Sequence, residues 1–248
     1  MTANAHNFHR ILAIDTSSQA GVVVLANLQY GEFRSVTIKP GLIHGRELVP
    51  TIRQICLDAK TAFHQLDAVA IGIGPGSYTG LRVGMAVAKT IVEVINKPIL
   101  AIDSLILPVL NLPDGPTRAV SIADAQRGAI YESVYERDNA GRWQMISPPQ
   151  IQPWTHLNRF ASDESTIITG PGLSLITKLG KPAAATAEEH RWQPDSNAME
   201  ILLQQYLEIC PEVDRYRIEP LYIRPSAAEE KRDAPSTAAL SNTGSNHS

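Results

Sequence analysis

The chain has 248 residues and a formal net charge of −3, with 44% hydrophobic and 19% charged residues. These values are typical of a globular protein with room for two lobes, and they argue against a nucleic-acid binder acting alone, which needs a basic surface. No apolar run approaches the roughly 18–20 residues that span a bilayer, so no membrane segment is expected. Cys56 and Cys210 stand apart without a C-x-x-C pair, which indicates free thiols in a reducing cytoplasm and no zinc site.

The first half of the chain is expected to form three strands followed by alternating helices and strands. The first three strands form an antiparallel meander, and the first of them ends on Asp15. Helices are expected where apolar residues recur on one helical face. The expected elements, in order, are strands at 10–15, 21–26 and 33–38, a helix at 44–60, a strand at 68–73, a helix at 80–96, a strand at 99–102 and a helix at 104–110.

A glycine-rich turn joins the strand at 68–73 to the helix at 80–96, within the sequence AIGIGPGSYTGLRVGMAVAKT (residues 70–90). Two interpretations of this turn are open. It is an anion cradle, because backbone N–H groups at a helix N-terminus attract phosphate, or a corner where only glycine permits the backbone to approach. The spacing and the lysine of a P-loop are both missing, which favours the corner.

The helix at 80–96 is apolar over most of its circumference. Its polar residues fall on one narrow stripe, which consists of Arg82, Lys89, Glu93 and Asn96. Apolar residues form two flanks, Leu81, Met85 and Val92 on one side and Val83, Val87 and Val94 on the other. A helix that covers only its own sheet needs one apolar face, so we expect a second buried contact. Either a partner protein or a neighbouring helix of the same chain could provide it.

The second half of the chain repeats this order of elements. A strand over residues 119–124 again ends on an aspartate, Asp124, and Gly170-Pro171-Gly172 repeats Gly74-Pro75-Gly76 before a helix. We infer a duplicated α/β fold with the order βββαβα in each copy. Two such lobes across a cleft are typical of the actin, Hsp70 and sugar-kinase (ASKHA) fold. The expected divisions are a flexible N-terminus at 1–9, an N-terminal lobe at 10–103, a C-terminal lobe at 104–225 and a disordered tail at 226–248.

Five segments of the chain resemble the TsaB family, also called YeaZ. They are ILAIDTSS (11–18), HGRELVPTI (44–52), AIGIGPGSYTGLRVGMAVAK (70–89), DAQRGAIY (124–131) and PLYIRPS (220–226). The resemblance implies a non-catalytic subunit of a cytoplasmic bacterial complex, which attaches a threonylcarbamoyl group to the adenosine beside the anticodon in tRNAs reading codons that begin with A. It implies as partners the related catalytic subunit TsaD and the ATPase TsaE, with tRNA bound only through the complex. The isolated chain could also form a homodimer.

The resemblance also implies that two helices, at 44–60 and 80–96 in this chain, pack against their counterparts in TsaD as an interchain bundle. Together with the apolar surplus of the second helix, it points to five contact residues, which are Leu48, Ile52, Leu81, Met85 and Val92. The expected rim of this interface consists of Arg46, Arg53 and Lys89. We expect Met85→Asp to abolish TsaD binding without unfolding the chain.

Neither a nucleotide cofactor nor a metal ion is expected. The turn Asp15-Thr16-Ser17 lacks the glycine that phosphate-binding hairpins of this fold place after the aspartate, and Arg127 stands where a small residue would leave room after Asp124. We therefore expect vestigial phosphate hairpins that bind nucleotide weakly or not at all. No two of the seven histidines stand four residues apart, the spacing of the TsaD metal motif, and no Ser/His/Asp set can be assembled by spacing.

Three other functions compete with that of an accessory subunit. An ATP-dependent small-molecule kinase of the same fold would need a catalytic aspartate and a phosphate-binding cleft. A glycoprotease-like metalloenzyme would need a cluster of metal ligands. Direct tRNA binding by this chain would need a basic surface, which the net charge of −3 does not suggest. These features together favour an accessory subunit without a catalytic site.

Overall fold

A computed structural model describes residues 8–38 and 44–224 of the chain. The tail predicted at 226–248 lies outside these residues, as do the first seven residues of the predicted N-terminal segment. Within the described part the strands are β1 Arg10–Asp15, β2 Gly21–Asn27, β3 Glu32–Ile38, β4 Ala68–Gly74, β5 Ile99–Asp103, β6 Arg118–Asp124, β7 Ala129–Arg137, β8 Trp143–Pro153, β9 Thr166–Thr169 and β10 Glu212–Val213. The α-helices are α1 His44–Asp58, α2 Tyr78–Ile95, α3 Ile106–Leu110, α4 Ile176–Leu179 and α5 Ser196–Gln205.

Two sheets form the framework, and their topologies confirm the predicted duplication. The first sheet has the strand order β10-β5-β4-β1-β2-β3, and the second has the order β8-β7-β6-β9. In the first, β1 pairs antiparallel with β2 and parallel with β4. In the second, β6 pairs antiparallel with β7 and parallel with β9 in the same way. The two aspartate-ended strands, β1 and β6, therefore occupy equivalent central positions.

The helices of the second copy are much shorter than those of the first. A 3₁₀ helix at Trp154–Phe160 takes the place of α1, and a 3₁₀ helix at Pro171–Leu175 followed by the four-residue α4 takes the place of α2. Pro153 precedes the first of these, and Gly180 ends α4 in the left-handed region with a φ of 83°. The helix predicted at 173–179 is therefore 3₁₀ in its first three residues and α-helical in its last four.

One hydrophobic core lies between the two sheets and joins both lobes. Its members come from β1 and β2, from α3 and α5, and from β6, β7 and β8, and they include Ile11, Val24, Leu107, Ala119, Tyr135, Met199 and Leu202. Helix α5 contacts α3, β2 and β3, and β10 pairs with β5 at the edge of the first sheet. Residues 104–225 were expected to form only the second lobe, but α5 and β10 lie against the first sheet because they cover its apolar face and its edge.

Helices α1 and α2 pack side by side on the opposite face of the first sheet, in a second core. This contact corrects the predicted interface residues. All five are buried within the chain, with exposures of 0% for Leu48 and Val92, 1% for Ile52, 2% for Leu81 and 5% for Met85. The apolar surplus of α2 is covered by α1, by the sheet and by later parts of the same chain, so these side chains are not available to a partner in this structure.

The other flank of α2 and the outer side of α1 are more open. Val94 is 79% exposed, whereas Val83 and Val87 are half-buried against the core. Of the predicted rim residues, Arg46 and Arg53 are exposed on α1. The third, Lys89, is half-buried and donates hydrogen bonds from Nζ to the carbonyl oxygens of residues 216 and 218, both at 3.3 Å.

Met85→Asp is therefore expected to destabilise the chain. It removes a buried apolar side chain and places an unpaired carboxylate in the core, which should lower the free energy of unfolding by about 3 kcal/mol or more. Val94→Asp on the same helix should change it by about 0.5 kcal/mol or less, because Val94 is exposed. Urea denaturation followed by circular dichroism measures both. Equal unfolding midpoints for the two variants would contradict the assignment of Met85 to the core.

Candidate functional site

Strand β1 ends on Asp15, whose carboxylate is fully buried. Its Oδ1 accepts hydrogen bonds from the backbone N–H and the hydroxyl of Ser17, at 2.9 and 2.7 Å. Its Oδ2 accepts one from the hydroxyl of Ser104, at 2.6 Å, and that hydroxyl accepts one from the backbone N–H of Gly74, at 3.0 Å. These bonds join the ends of β1, β4 and β5. Both oxygens of Asp15 thus hold the turn together.

The backbone of the Thr16–Ser17 turn lies directly against the glycine-rich corner. A Cβ atom at Gly76 would lie 2.2 Å from the carbonyl oxygen of Ser17, and one at Gly80 would lie 2.1 Å from the carbonyl oxygen of Thr16. A Cβ at Gly84 would lie 2.3 Å from Thr16 Oγ1. Such distances are impossible for real Cβ atoms, so only glycine permits this approach. The structure therefore supports the corner interpretation of the turn.

The backbone groups where α2 begins bond to the protein itself. The N–H of Ser77 donates to the carbonyl oxygen of Ser17 at 2.6 Å, and the hydroxyl of Ser77 caps the helix by accepting from the N–H of Gly80 at 3.2 Å. The hydroxyl of Thr16 donates to the carbonyl oxygen of Gly80 at 2.7 Å. The N–H groups of Ser77 and Gly80 are therefore already bonded within the protein.

The equivalent turn after β6 has a different geometry. Asp124 is exposed, and its Oδ1 accepts a hydrogen bond from the N–H of Gln126 at 2.6 Å. Three consecutive residues have left-handed backbone angles, with φ values of 63° at Gln126, 55° at Arg127 and 75° at Gly128. Two of them are not glycine, which is uncommon, so neighbouring contacts must hold this tip in place.

The two turns face each other across a cleft of about 600 Å³ between the lobes. The charged side chains in its lining are Asp124, Arg127 and Arg224, and hydroxyl and amide side chains form most of the rest. The full lining consists of residues 17–19, 76–79 and 123–127 together with Tyr131, Pro171, Ser174, Gln193 and Arg224. Of the predicted vestigial phosphate residues, Ser17, Asp124 and Arg127 line the cleft, whereas Asp15 and Thr16 are buried behind its wall.

A second carboxylate, Asp103, connects the two sheets beside Asp15. Its Oδ2 accepts a hydrogen bond from the hydroxyl of Tyr135 on β7 at 2.7 Å, and its Oδ1 accepts one from the N–H of Leu105 at 3.0 Å. Burial raises the pKa of Asp103 to about 6, and the nearby Asp15 adds to this rise, while the hydrogen bonds from Tyr135 and Leu105 oppose it.

The described residues contain two free thiols and few other groups suited to redox or metal chemistry. Cys56 and Cys210 are both free and buried, and burial raises the pKa of both thiols, that of Cys210 to about 12. Within residues 8–38 and 44–224, no three His, Cys, Asp or Glu side chains come close enough to hold a metal ion together. No helix in the same residues combines the length and apolar character needed to cross a membrane.

Comparison with known proteins places this fold and cleft in a family. Residues 41–165, half of the 248-residue chain, match the family model described as TsaD, tRNA N6-adenosine threonylcarbamoyltransferase. The chain is 26% identical to the tRNA threonylcarbamoyladenosine biosynthesis protein TsaB of Escherichia coli, over 90% of this chain and 97% of the relative. It is 28% identical to TsaB of Bacillus subtilis, over 89% of this chain and 96% of the relative.

The chain belongs to the TsaB (YeaZ) family. Solved structures agree with this assignment at the level of the fold. YeaZ from Pseudomonas aeruginosa matches with a TM-score of 0.67 and 21% identity, over 86% of this chain and 99% of that chain. A Pseudomonas aeruginosa protein described as similar to peptidase YEAZ matches with a TM-score of 0.70 and 21% identity, over 87% and 99%. The predicted duplicated, two-lobed α/β fold is thus confirmed for this member of the TsaB family.

Three residues that build the site in this TsaB family member were not found from the sequence, and only one had a local signal. Ser104 follows the segment ILAID at 99–103, which repeats the ILAID of residues 11–15 and could have marked a second turn beside the first. Arg224 lies in a segment that resembles the TsaB family, but nothing in the sequence places it at the cleft. No signal points to Tyr135, because its contact with Asp103 joins strands of different sheets.

Gly80→Ala is expected to lower the free energy of unfolding by about 2 kcal/mol or more, because the new Cβ would collide with the backbone of the turn after β1. Gly45→Ala on α1 is the matched control, since a Cβ there meets no atom within 4 Å. That control should leave stability unchanged or raise it by up to about 1 kcal/mol, because alanine favours a helix. Thermal and urea denaturation measure both variants. A fully stable Gly80→Ala protein would rule out the close approach.

The pKa of Asp103 leads to a pH-dependent difference in stability. Because its folded-state pKa of about 6 lies above the ordinary value of 3.8, folding favours the protonated carboxyl, and its contribution to stability falls as pH rises from about 4 to about 6. The asparagine of Asp103→Asn stays neutral at every pH. The free energy of unfolding of the variant should therefore rise relative to that of the wild type over this range, by up to about 3 kcal/mol at pH 7. Urea denaturation of both proteins at pH 4, 5, 6 and 7 measures the difference. A difference that is independent of pH would contradict the assignment.

Proposed function

We propose that this chain is a non-catalytic accessory subunit in the biosynthesis of threonylcarbamoyladenosine in tRNA. Its TsaB relatives in Escherichia coli and Bacillus subtilis are both named tRNA threonylcarbamoyladenosine biosynthesis proteins. The similarity extends over nearly the full length of each chain. The proposed partners are the catalytic subunit TsaD and the ATPase TsaE. The family-model match to TsaD supports a common fold for the two subunits.

The observation that carries the non-catalytic role is the burial of Asp15. A general base or acid must come within hydrogen-bond reach of the reacting group, at about 2.6–3.2 Å. Asp15 is fully buried, and its oxygens accept three hydrogen bonds from Ser17 and Ser104. The adjoining backbone packs against the glycines of the corner. This arrangement supports a structural role for Asp15, at a position that points at phosphate in the nucleotide-binding proteins of this fold.

The outer surface of α1 and α2 is the proposed TsaD-binding face. It replaces the five buried residues of the sequence-based prediction with side chains that reach solvent. The exposed apolar members are Val49 at 55%, Leu57 at 59% and Val94 at 79%, and the exposed cations Arg46 and Arg53 lie beside them on α1. An apolar centre with a charged rim is the usual composition of a protein–protein interface. Within residues 8–38 and 44–224, two long helices lie side by side only in the first lobe.

Reconstitution tests the proposed function as a whole. TsaD, TsaE and unmodified tRNA are incubated with and without this chain. The family's separate enzyme TsaC, with threonine, bicarbonate and ATP, supplies threonylcarbamoyl-AMP, and modified adenosine is measured by mass spectrometry of tRNA digests. Modification should require the chain, and the chain without TsaD should give none. Asp15→Asn protein, once shown to be folded, should still support modification. Two results would contradict a non-catalytic role. One is tRNA modification by this chain without TsaD, and the other is absence of modification in the full reaction when a folded Asp15→Asn variant replaces the wild type.

The double variant Leu57→Asp, Val94→Asp tests the binding face. Both side chains are exposed, so the variant should stay folded, while its affinity for TsaD should fall at least about tenfold because buried interface anchors dominate binding energy. Ile146→Asp is the control, since Ile146 is 52% exposed on β8 of the second sheet. Titration calorimetry with purified TsaD measures all three proteins. An equal loss in the control, or no loss in the double variant, would place the interface elsewhere.

A further inference from the structure

The described chain ends with residues 214–224, here called the strap, which begin on the first lobe. The side chain of Ile218 is buried in the core beneath α1 and α2, and its carbonyl oxygen accepts a hydrogen bond from Lys89 Nζ at 3.3 Å. The backbone N–H of Leu221 donates to the carbonyl oxygen of Ile73 at 2.7 Å. Arg215 donates to Asn96 Oδ1 at the end of α2, at 2.8 Å. The strap is therefore fixed along α2 up to residue 221.

The last three residues of the strap lead from α2 to the second lobe. The ring of Tyr222 packs 5.1 Å from the ring of Tyr78 at the start of α2. Ile223 then packs against a small cluster that includes Tyr131 of β7. Arg224 donates to the carbonyl oxygens of residues 125 and 126, the latter at 3.1 Å, and lines the cleft. One short segment thus touches both walls of the cleft.

The carbonyl groups that Arg224 binds belong to the left-handed tip of the β6–β7 turn. Gln126 and Arg127 are the two non-glycine residues with positive φ there, and such a conformation persists only where its surroundings hold it. Within the turn itself the N–H of Ala129 donates to the Gln126 carbonyl at 3.0 Å. A guanidinium forms stronger hydrogen bonds than a neutral donor, so Arg224 is a suitable clamp for this tip.

We infer that the strap is a latch between the two lobes, which ties the β6–β7 tip to the first lobe across the cleft and fixes the width of the cleft through Arg224. Elsewhere the lobes are joined by the core around α3 and α5 and by the hydrogen bond between Tyr135 and Asp103. Ala125, at the base of the β6–β7 tip, also packs with Leu105 and Tyr131 in the cluster that Ile223 contacts. Release of Arg224 leaves these contacts intact and removes the hydrogen bonds from the strap to the tip. The inference does not depend on which partner the chain binds.

Hydrogen exchange of the full chain, followed by mass spectrometry, tests the latch. In Arg224→Ala, the amides of residues 123–131 should exchange about tenfold faster or more, because two hydrogen bonds from a charged donor are lost. Exchange in the centre of the second sheet should stay the same. Arg217→Ala is the matched control, since Arg217 is an exposed strap arginine whose ion pair, at 3.6 Å, is with Asp214 of the same segment. It should leave exchange at 123–131 unchanged.

A second variant and a distance measurement distinguish a latch from a general loss of stability. Arg224→Lys keeps the charge but not the fork of donors, so its exchange at 123–131 should lie between those of the wild type and Arg224→Ala. Spin labels on the exposed Thr90 of α2 and Gln150 of β8 should report a broader distance distribution in Arg224→Ala and an unchanged one in Arg217→Ala. Uniformly faster exchange, unchanged exchange at 123–131, or an unchanged distance distribution in Arg224→Ala would each overturn the latch.

Discussion

The structure of the first lobe depends on the contact between the Thr16–Ser17 turn and the start of α2. Glycine at positions 76 and 80 lets two backbones approach to distances that no other residue permits, and glycine at position 84 makes room for the side chain of Thr16. Glycine inside a helix costs about 1 kcal/mol relative to alanine, so this approach is maintained against the intrinsic preference of α2. The same contact buries Asp15 and positions Ser17 at the cleft. The orientation of α2, and with it the surface that the lobe presents, follows from this one approach.

The two copies of the duplicated unit have diverged in opposite directions. In the first, the turn after the aspartate is buried against the start of α2, and the lobe carries the two long helices α1 and α2. In the second, the helices are reduced to short 3₁₀ and α segments, and the turn after Asp124 is open and left-handed. The cleft between them is consequently asymmetric, with one wall fixed by its own lobe and the other attached to the strap through Arg224.

The sequence predicted the strands and the duplication well, because alternation and aspartate-ended apolar runs are local signals. The predicted strand at 10–15 matches β1, and those at 21–26 and 33–38 differ from β2 and β3 by one residue. The interface residues could not be predicted in this way. Periodicity identified Leu81, Met85 and Val92 as apolar, but it could not tell whether a partner or α1 covers them, since that depends on packing between distant segments. The contacts of Arg224 and of α5 are missed for the same reason.

The completion of the first sheet by the end of the chain has a consequence for synthesis on the ribosome. A nascent polypeptide that has emerged only as far as Asp103 holds five strands of that sheet, yet it lacks β10 for the open edge of β5 and α5 for the apolar face of β1 and β2. Such an intermediate exposes an unpaired strand edge and an apolar sheet face, which are features that recruit chaperones or lead to aggregation. The first sheet can therefore be completed only after α5 and β10 have been synthesised, and the two parts of the chain fold together.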